Sequence, residues 1–226
     1  ATKEEQEDKF YEWATKPANK EKYENVIPTI NEYYRSTNVK VVHDNYLMQL
    51  MRTSSYANGP ANLGNALIAY YNENDAKKAE MLPKINAMID GIYGDFYAPL
   101  EKDVLTAQLN LYAAKATEYG LAPQVAKMKS LNNGDFTADV AKATETSYFT
   151  SKEKIVAFMA DPKPLAIVHD PLYIISTDLL TKYRAKSDDQ IKSDEAFAIA
   201  YRKLVEGLRE SKLNTIQYPD ANSTLR

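Results

Sequence analysis

The chain has 226 residues, 44% of them hydrophobic and 26% charged, with a formal net charge of −3. A chain of this size can bury roughly 70% of its unfolded surface, and it carries no basic footprint for nucleic acid. It has no cysteine, which excludes a disulfide framework, thiolate zinc sites and a cysteine nucleophile; no apolar run approaches the ~20 residues of a membrane-spanning helix, and no secretory leader is recognisable.

Only seven glycines occur, which favours helices over turn-rich β architecture. The 17 tyrosines recur at helical spacing and read as helix-packing residues rather than a ligand-stacking surface. In chain order, helices are predicted near 3–15, 19–36 with a break at Pro28, 40–56, 60–73, 75–92, 98–119, 123–131, 137–147, 151–160, 171–185 and 189–213. Capping boxes mark three starts, Thr2-Lys3-Glu4-Glu5, Thr150-Ser151-Lys152-Glu153 and Ser187-Asp188-Asp189-Gln190. Asp170-Pro171 marks another, with aspartate as cap and proline in the first helical position. Three apolar stripes should face a core: Leu105, Leu109, Tyr112 and Ala116; Leu172, Ile175, Leu179 and Tyr183; Phe197, Tyr201, Leu204 and Leu208. Gly120 and Pro123 end the helix before them, and Asn132-Asn133-Gly134-Asp135 and Asp161-Pro162-Lys163-Pro164 interrupt the pattern. The expected fold is all-α, an irregular bundle of mostly antiparallel helices forming one domain over 1–214, followed by an extended connector over 215–226.

Chemistry is sparse. The two histidines, His43 and His169, each precede an aspartate. Neighbours on a helix point about 100° apart, so neither pair is expected to face as a histidine–carboxylate couple. His43 reads as a partly buried helix position and His169 as the residue before the cap Asp170. No HExxH, no histidine pair at i, i+4 and no phosphate-binding glycine motif occurs, so no metal and no cofactor is expected. Asn58-Gly59-Pro60-Ala61-Asn62-Leu63-Gly64 reads as an interhelical break whose Asn58 and Asn62 line a substrate cleft. Ser54, Ser55 and Ser151 lie in no nucleophile motif, and the carboxylate pairs Glu4-Glu5, Glu7-Asp8 and Asp188-Asp189 suit helix N-termini. Arg202 and Glu206 are expected to pair along one helix face.

The last nine residues, Tyr218-Pro-Asp-Ala-Asn-Ser-Thr-Leu-Arg226, read as a turn leading into a strand, and the chain begins at Ala1 without methionine; both mark it as an excised domain. The segment YPDANSTLR resembles the one with which the helical insert of the bacterial dipeptidyl peptidases 7 and 11 returns to its chymotrypsin-like barrels. Phe10-Tyr11-Glu12-Trp13, Lys20-Glu21-Lys22-Tyr23 with Val26-Ile27-Pro28, Asp170-Pro171-Leu172-Tyr173 and Tyr201-Arg202 agree with that family in character and order. The resemblance implies a serine hydrolase that releases dipeptides from free peptide N-termini in the periplasm or at the cell surface. It implies that the catalytic histidine and serine segments lie on the barrels, outside this chain, and that the amine-binding asparagine of the insert lies upstream of Ala1. No catalytic residue is carried over. The chain itself would be a non-catalytic lid that helps close the cleft, inert alone. Its partners would be the barrels of the parent chain and a peptide substrate, with a homodimer of the parent left open and neither nucleic acid nor a membrane span expected. The rival readings are a stand-alone helical module binding a peptide or glycan and, behind it, an independent enzyme.

Overall fold

A computed structural model of the chain describes residues 3–213. These form twelve α-helices and one short 3-10 turn, with no strand among them. In order the helices are α1 Lys3–Ala14, α2 Lys20–Tyr23, α3 Val26–Thr53, α4 Ser55–Tyr71, α5 Asp75–Tyr93, α6 Ala98–Lys115, α7 Pro123–Leu131, α8 Thr137–Thr146, α9 Lys152–Ala160, α10 Pro164–Val168, α11 Pro171–Arg184 and α12 Asp188–Ser211; the 3-10 turn is Tyr148–Thr150. The all-α architecture is as expected. Thr2 and the expected connector, 215–226, lie outside the described residues.

The chain divides into two compact units. Residues 1–38 and 186–226 belong to one, and residues 39–185 to the other, α3 contributing to both. In the smaller unit, α1, α2 and the start of α3 pack with α12 around Phe10, Ala14, Tyr23 and Val26. Gly207 lets α12 approach closely, since a Cβ there would come within 2.8 Å of the Phe10 ring. Lys22 joins the helices from outside through Glu206 at 2.7 Å and Glu210 at 3.0 Å. Glu206 therefore pairs across helices and not along its own face with Arg202.

In the larger unit α11 is the central element. It packs most closely on α4 and also touches α7, α8 and α10. Leu172, Ile175 and Leu179 are buried on it, as are Leu105, Leu109, Tyr112 and Ala116 on and just after α6. Its start follows the Asp170-Pro171 signal, but Asp170 reaches further than a cap. It is 2% exposed, and it accepts hydrogen bonds from the Leu172 and Tyr173 amides (3.0 and 3.1 Å), the Ser147 hydroxyl (2.8 Å) and the Tyr148 amide (2.8 Å). Burial pushes its carboxyl above the usual range and the four donors pull it back, with burial prevailing. Gly64 sets how closely α4 meets α11: a Cβ there would lie 2.5 Å from the Tyr173 ring.

Several expected boundaries moved for identifiable reasons. The break expected at Pro28 lies just upstream, at 24–25 between α2 and α3; Pro28 itself falls in the first turn of α3, where a missing N–H costs no ladder bond. The gap expected at 37–39 is continuous helix; Ser36 and Thr37 bond back to the Tyr33 carbonyl (3.2 and 2.7 Å) without stopping it. Gly59-Pro60 is not an interhelical break but lies inside α4. The Ala61 amide next to the proline donates to the buried Ser176 hydroxyl of α11 at 3.0 Å, so tertiary packing offsets the local cost. Pro164 starts the short α10 where only an interruption was expected, and α6 ends at Lys115, short of Gly120. The cap of α9 is Ser151, one residue past the expected Thr150, with its side chain accepting from the Lys154 amide. The third stripe is only half-buried: Tyr201 is 52% exposed, because the smaller unit has too few helices to cover it.

Two substitutions test this arrangement. Asp170→Asn keeps the shape but presents an NH2 to backbone donors, and should cost about 2–3 kcal/mol in urea unfolding; an unchanged midpoint would mean the four donors find partners without the carboxylate. Gly64→Ala should lower the melting temperature by the equivalent of about 2 kcal/mol in spite of its better helix propensity, whereas stabilisation would show that Tyr173 does not lie closely on α4.

Candidate functional site

Asn58 and Asn62 sit one turn apart on the exposed side of α4, whose other side is buried through Ala57, Ala61, Leu63 and Leu67. Asn62 Nδ2 donates to Asn58 Oδ1 at 2.8 Å and to the Asn58 carbonyl at 3.2 Å. Together they form one wall of a depression of about 330 Å3, also lined by Met51, Arg52, Met88, Gly91 and Ile92. That volume lies at the low end of the ~300–1,000 Å3 of small-ligand sites. Ser54 and Ser55 border it as well, but they are engaged: Glu101 of α6 accepts from the Ser55 amide (2.8 Å) and hydroxyl (3.1 Å) and from the Ser54 hydroxyl (3.5 Å). The α4 N-terminus is thus capped by a neighbouring carboxylate. Asp178 does the same for α7 through the Gln124 amide at 2.8 Å.

His43 is more enclosed than its sequence neighbourhood indicated, at 1% exposed. Its Nδ1 lies 2.9 Å from Asp44 Oδ1 and its Nε2 2.8 Å from Tyr112 Oη. The expectation that His43 and Asp44 do not face each other is overturned: Nδ1 lies close to the backbone, and a short aspartate folded toward it spans the angle between neighbouring side chains. Asp44 also accepts from Lys40. The Tyr112 oxygen accepts the Ala122 amide at 3.0 Å, so its proton goes to Nε2 and the Nδ1 proton to Asp44. This neutral tautomer leaves every group satisfied. Burial holds the imidazole below its usual range against the pull of Asp44, with Lys182 and Lys40 adding to the depression; burial also pushes the Tyr112 phenol up to about 12. The Tyr119 ring closes the cluster at 5.0 Å from the imidazole, under Lys182.

The couple resembles part of a catalytic triad, yet both imidazole nitrogens are occupied, the ring is sealed, and the third partner is a buried phenol that already accepts an amide. It favours a neutral imidazole and links α3 to α6. His169 is exposed at the end of α10 and Ser151 caps α9. Among the described residues no group of three or more His, Cys, Asp or Glu comes together to hold a metal, and no helix is long and apolar enough to cross a membrane.

The arrangement carries a groove, and comparison with known proteins gives it a context. The family model described as Peptidase S46 matches residues 1–226. The chain belongs to the peptidase S46 family. It is 36% identical over 221 residues to a dipeptidyl-peptidase 7 of Capnocytophaga gingivalis, covering 97% of this chain and 30% of that protein. It is 25% identical over 178 residues to an Asp/Glu-specific dipeptidyl-peptidase of Porphyromonas gingivalis, covering 78% of this chain and 25% of that one. The crystal structure of Porphyromonas endodontalis DPP11 in complex with the dipeptide Arg-Glu shares the fold, with a TM-score of 0.76 at 21% identity over 98% of this chain and 32% of that one. This S46 chain thus spans about 30% of the length of the first of these curated relatives.

Within the S46 chain, sequence reasoning named Asn58 and Asn62 but missed Arg52, Met88 and Gly91 opposite them, and it missed the pairing of His43 with Tyr112, 69 residues away. Only the i, i+4 asparagine spacing signalled the first group, and no local pattern signals the second. The histidine makes a measurable demand. Because its pKa in the fold lies below the unfolded value near 6.5, the unfolded chain binds more protons below that pH; the stabilisation is full above about 6.5 and declines as pH falls toward the folded pKa, by up to ~1.4 kcal/mol per pH unit. His43→Gln should flatten the fall in stability between about pH 6.5 and 5 in chemical denaturation. Asp170 and Asp178, whose pKa values are raised, contribute the opposite slope in both proteins and cancel in the difference. Equal slopes for the two proteins would place the imidazole in the ordinary range.

Proposed function

We propose that this chain is the non-catalytic helical capping domain of a serine dipeptidyl peptidase, with residues 1–214 acting as the cap and 215–226 as the connector to catalytic barrels carried elsewhere in a longer protein. The observation that carries the reading is a bare aromatic surface on the smaller unit. Phe197 stacks on Tyr33 with ring centres 4.2 Å apart and meets Tyr34 and Tyr201 at 5.6 and 5.9 Å. Tyr34 is 61% exposed, and Ile199 and Val205 add apolar surface on the same helix as Tyr201. A cluster of stacked rings this open suits a contact surface, and relatives of this family carry more than twice as much chain again, enough to supply the body that covers it.

A cap of this kind contributes no bond-making group. It excludes water and long chains from the cleft and leaves room only for the N-terminal end of a peptide, as closing lids do in other enzymes. With this reading goes a place in the periplasm or at the cell surface, where peptides arrive from outside, as the resemblance to the dipeptidyl peptidases 7 and 11 implies. In a longer family member carrying this segment, replacing both Tyr34 and Tyr201 by serine should lower kcat/KM for dipeptide release about tenfold or more. Labelling of the active serine by a small fluorophosphonate should be unchanged, since that reagent needs no cap. Dipeptide release by residues 1–226 alone, or an undiminished rate in the double variant, would sink the proposal.

A further inference from the structure

The depression between the end of α3, the first turns of α4 and the last turns of α5 has properties that packing of the larger unit does not require. Its polar wall is the asparagine pair. With the Asn62 amide hydrogens committed to Asn58, Asn62 Oδ1 remains as an acceptor and Asn58 Nδ2 as a donor, neither with a partner among the described residues, on side chains about 5–6 Å apart at their Cβ atoms. An extended peptide offers one N–H and one C=O per residue, and such a wall can meet both. Met51, Met88 and Ile92 form an adaptable apolar wall. Gly91 leaves the space between open, since a Cβ built there meets nothing within 4 Å. Arg52 stands at the edge, exposed and in no ion pair among the described residues. No aromatic ring lines the depression, so it lacks the flat face on which a sugar ring stacks.

We infer that this groove binds the main chain of a peptide through Asn58 and Asn62, seats an apolar side chain between Met51, Met88 and Ile92, and offers Arg52 to a carboxylate of that peptide, either its C-terminal carboxylate or an acidic side chain. The choice of a peptide draws on the capping reading above, in which the domain meets peptides, while the groove itself is argued from its own residues. In a capped exopeptidase it would grip substrate away from the reacting bond and favour longer peptides over dipeptide reporters.

The test is a 1H–15N NMR titration of residues 1–226 with the tetrapeptide Ala-Ala-Leu-Ala, its C-terminal amide, Ala-Ala-Leu-Glu amide and, as a sugar control, the disaccharide of N-acetylglucosamine. Shifts from the peptides should cluster at Ser55, Asn58, Asn62 and Gly91. Gly91→Leu fills open space with a better helix former, so it should leave the melting temperature at or above that of the parent while weakening peptide binding at least about tenfold. Asn58→Ala with Asn62→Ala should weaken it by about three- to tenfold. Arg52→Gln should erase the preference for a carboxylate; preference for the free tetrapeptide acid over its amide assigns the terminal carboxylate, and preference for the glutamate-bearing amide assigns the side chain. Shifts that cluster elsewhere, peptide binding that survives Gly91→Leu, or tighter binding of the disaccharide would overturn the inference. None of these outcomes alters the activity expected of the Tyr34 and Tyr201 variants, so failure of the groove and failure of the capping reading are separately visible.

Discussion

The Asp170 carboxylate holds the larger unit in register. It is buried without a cation, so its charge depends on four hydrogen-bond donors, two from the start of its own helix and two from the turn that precedes α9. Removing a carboxylate from water costs more than any one of those bonds returns, and only the complete set makes the position tolerable. The set can be complete only when the 3-10 turn and α11 stand at one separation. From α11 the constraint passes to α4, through the Tyr173 ring lying on Gly64 and through the Ser176 hydroxyl that takes the Ala61 amide. Since α4 carries Asn58 and Asn62, the groove wall is aimed by a carboxylate more than a hundred residues away in sequence.

The same logic recurs at other helix starts and explains which of them could be read locally. Asp170, Ser151 and Ser187 cap their own helices, and motif reading finds those starts to within a residue because donor and acceptor lie within three positions of each other. At α4 and α7 the cap is borrowed, from Glu101 and Asp178 on other helices, and no local pattern reports it; the α7 start is still legible because Pro123 marks its first position, whereas α4 has no such mark. Without a visible cap, Gly59-Pro60 reads as a break. With Glu101 closing the first turn and Ser176 meeting the Ala61 amide, the helix passes through the proline. The stripes on α6 and α11 were legible for the opposite reason, that a 3.6-residue period names its own buried face. The stripe on α12 obeys the same period but lies in a unit too thin to cover it, and periodicity carries no information about what packs on the other side.

That two histidines and no cysteine leave few ways to build a nucleophile can be read from residue types alone. The geometry at His43 cannot, since it depends on Tyr112 arriving from α6. That cluster shows why a histidine–carboxylate contact is not by itself a catalytic signature. Catalysis needs a nitrogen that can take a proton from a reacting group, and at His43 one nitrogen already gives its proton to Asp44 while the other already receives the Tyr112 phenolic hydrogen. Protonating the ring would place two donors against each other across the Nε2 contact and would add a charge beneath Lys40 and Lys182. The cluster favours the neutral ring, and its physical effect is to tie α3 to α6.

The two exposed features differ in kind. The aromatic cluster of the smaller unit is stacked and ring-rich, three tyrosines around one phenylalanine, a composition that suits a contact surface. The groove of the larger unit is small and mixed, with unpartnered amide groups, flexible methionines and an open glycine, so a ligand can enter and leave without exposing a core. Glycine at position 91 weakens α5 relative to alanine, and no close contact requires it there. A helix has no structural reason to give up that stability on an open face, whereas a groove that must admit a chain does, since any side chain at this point would fill it.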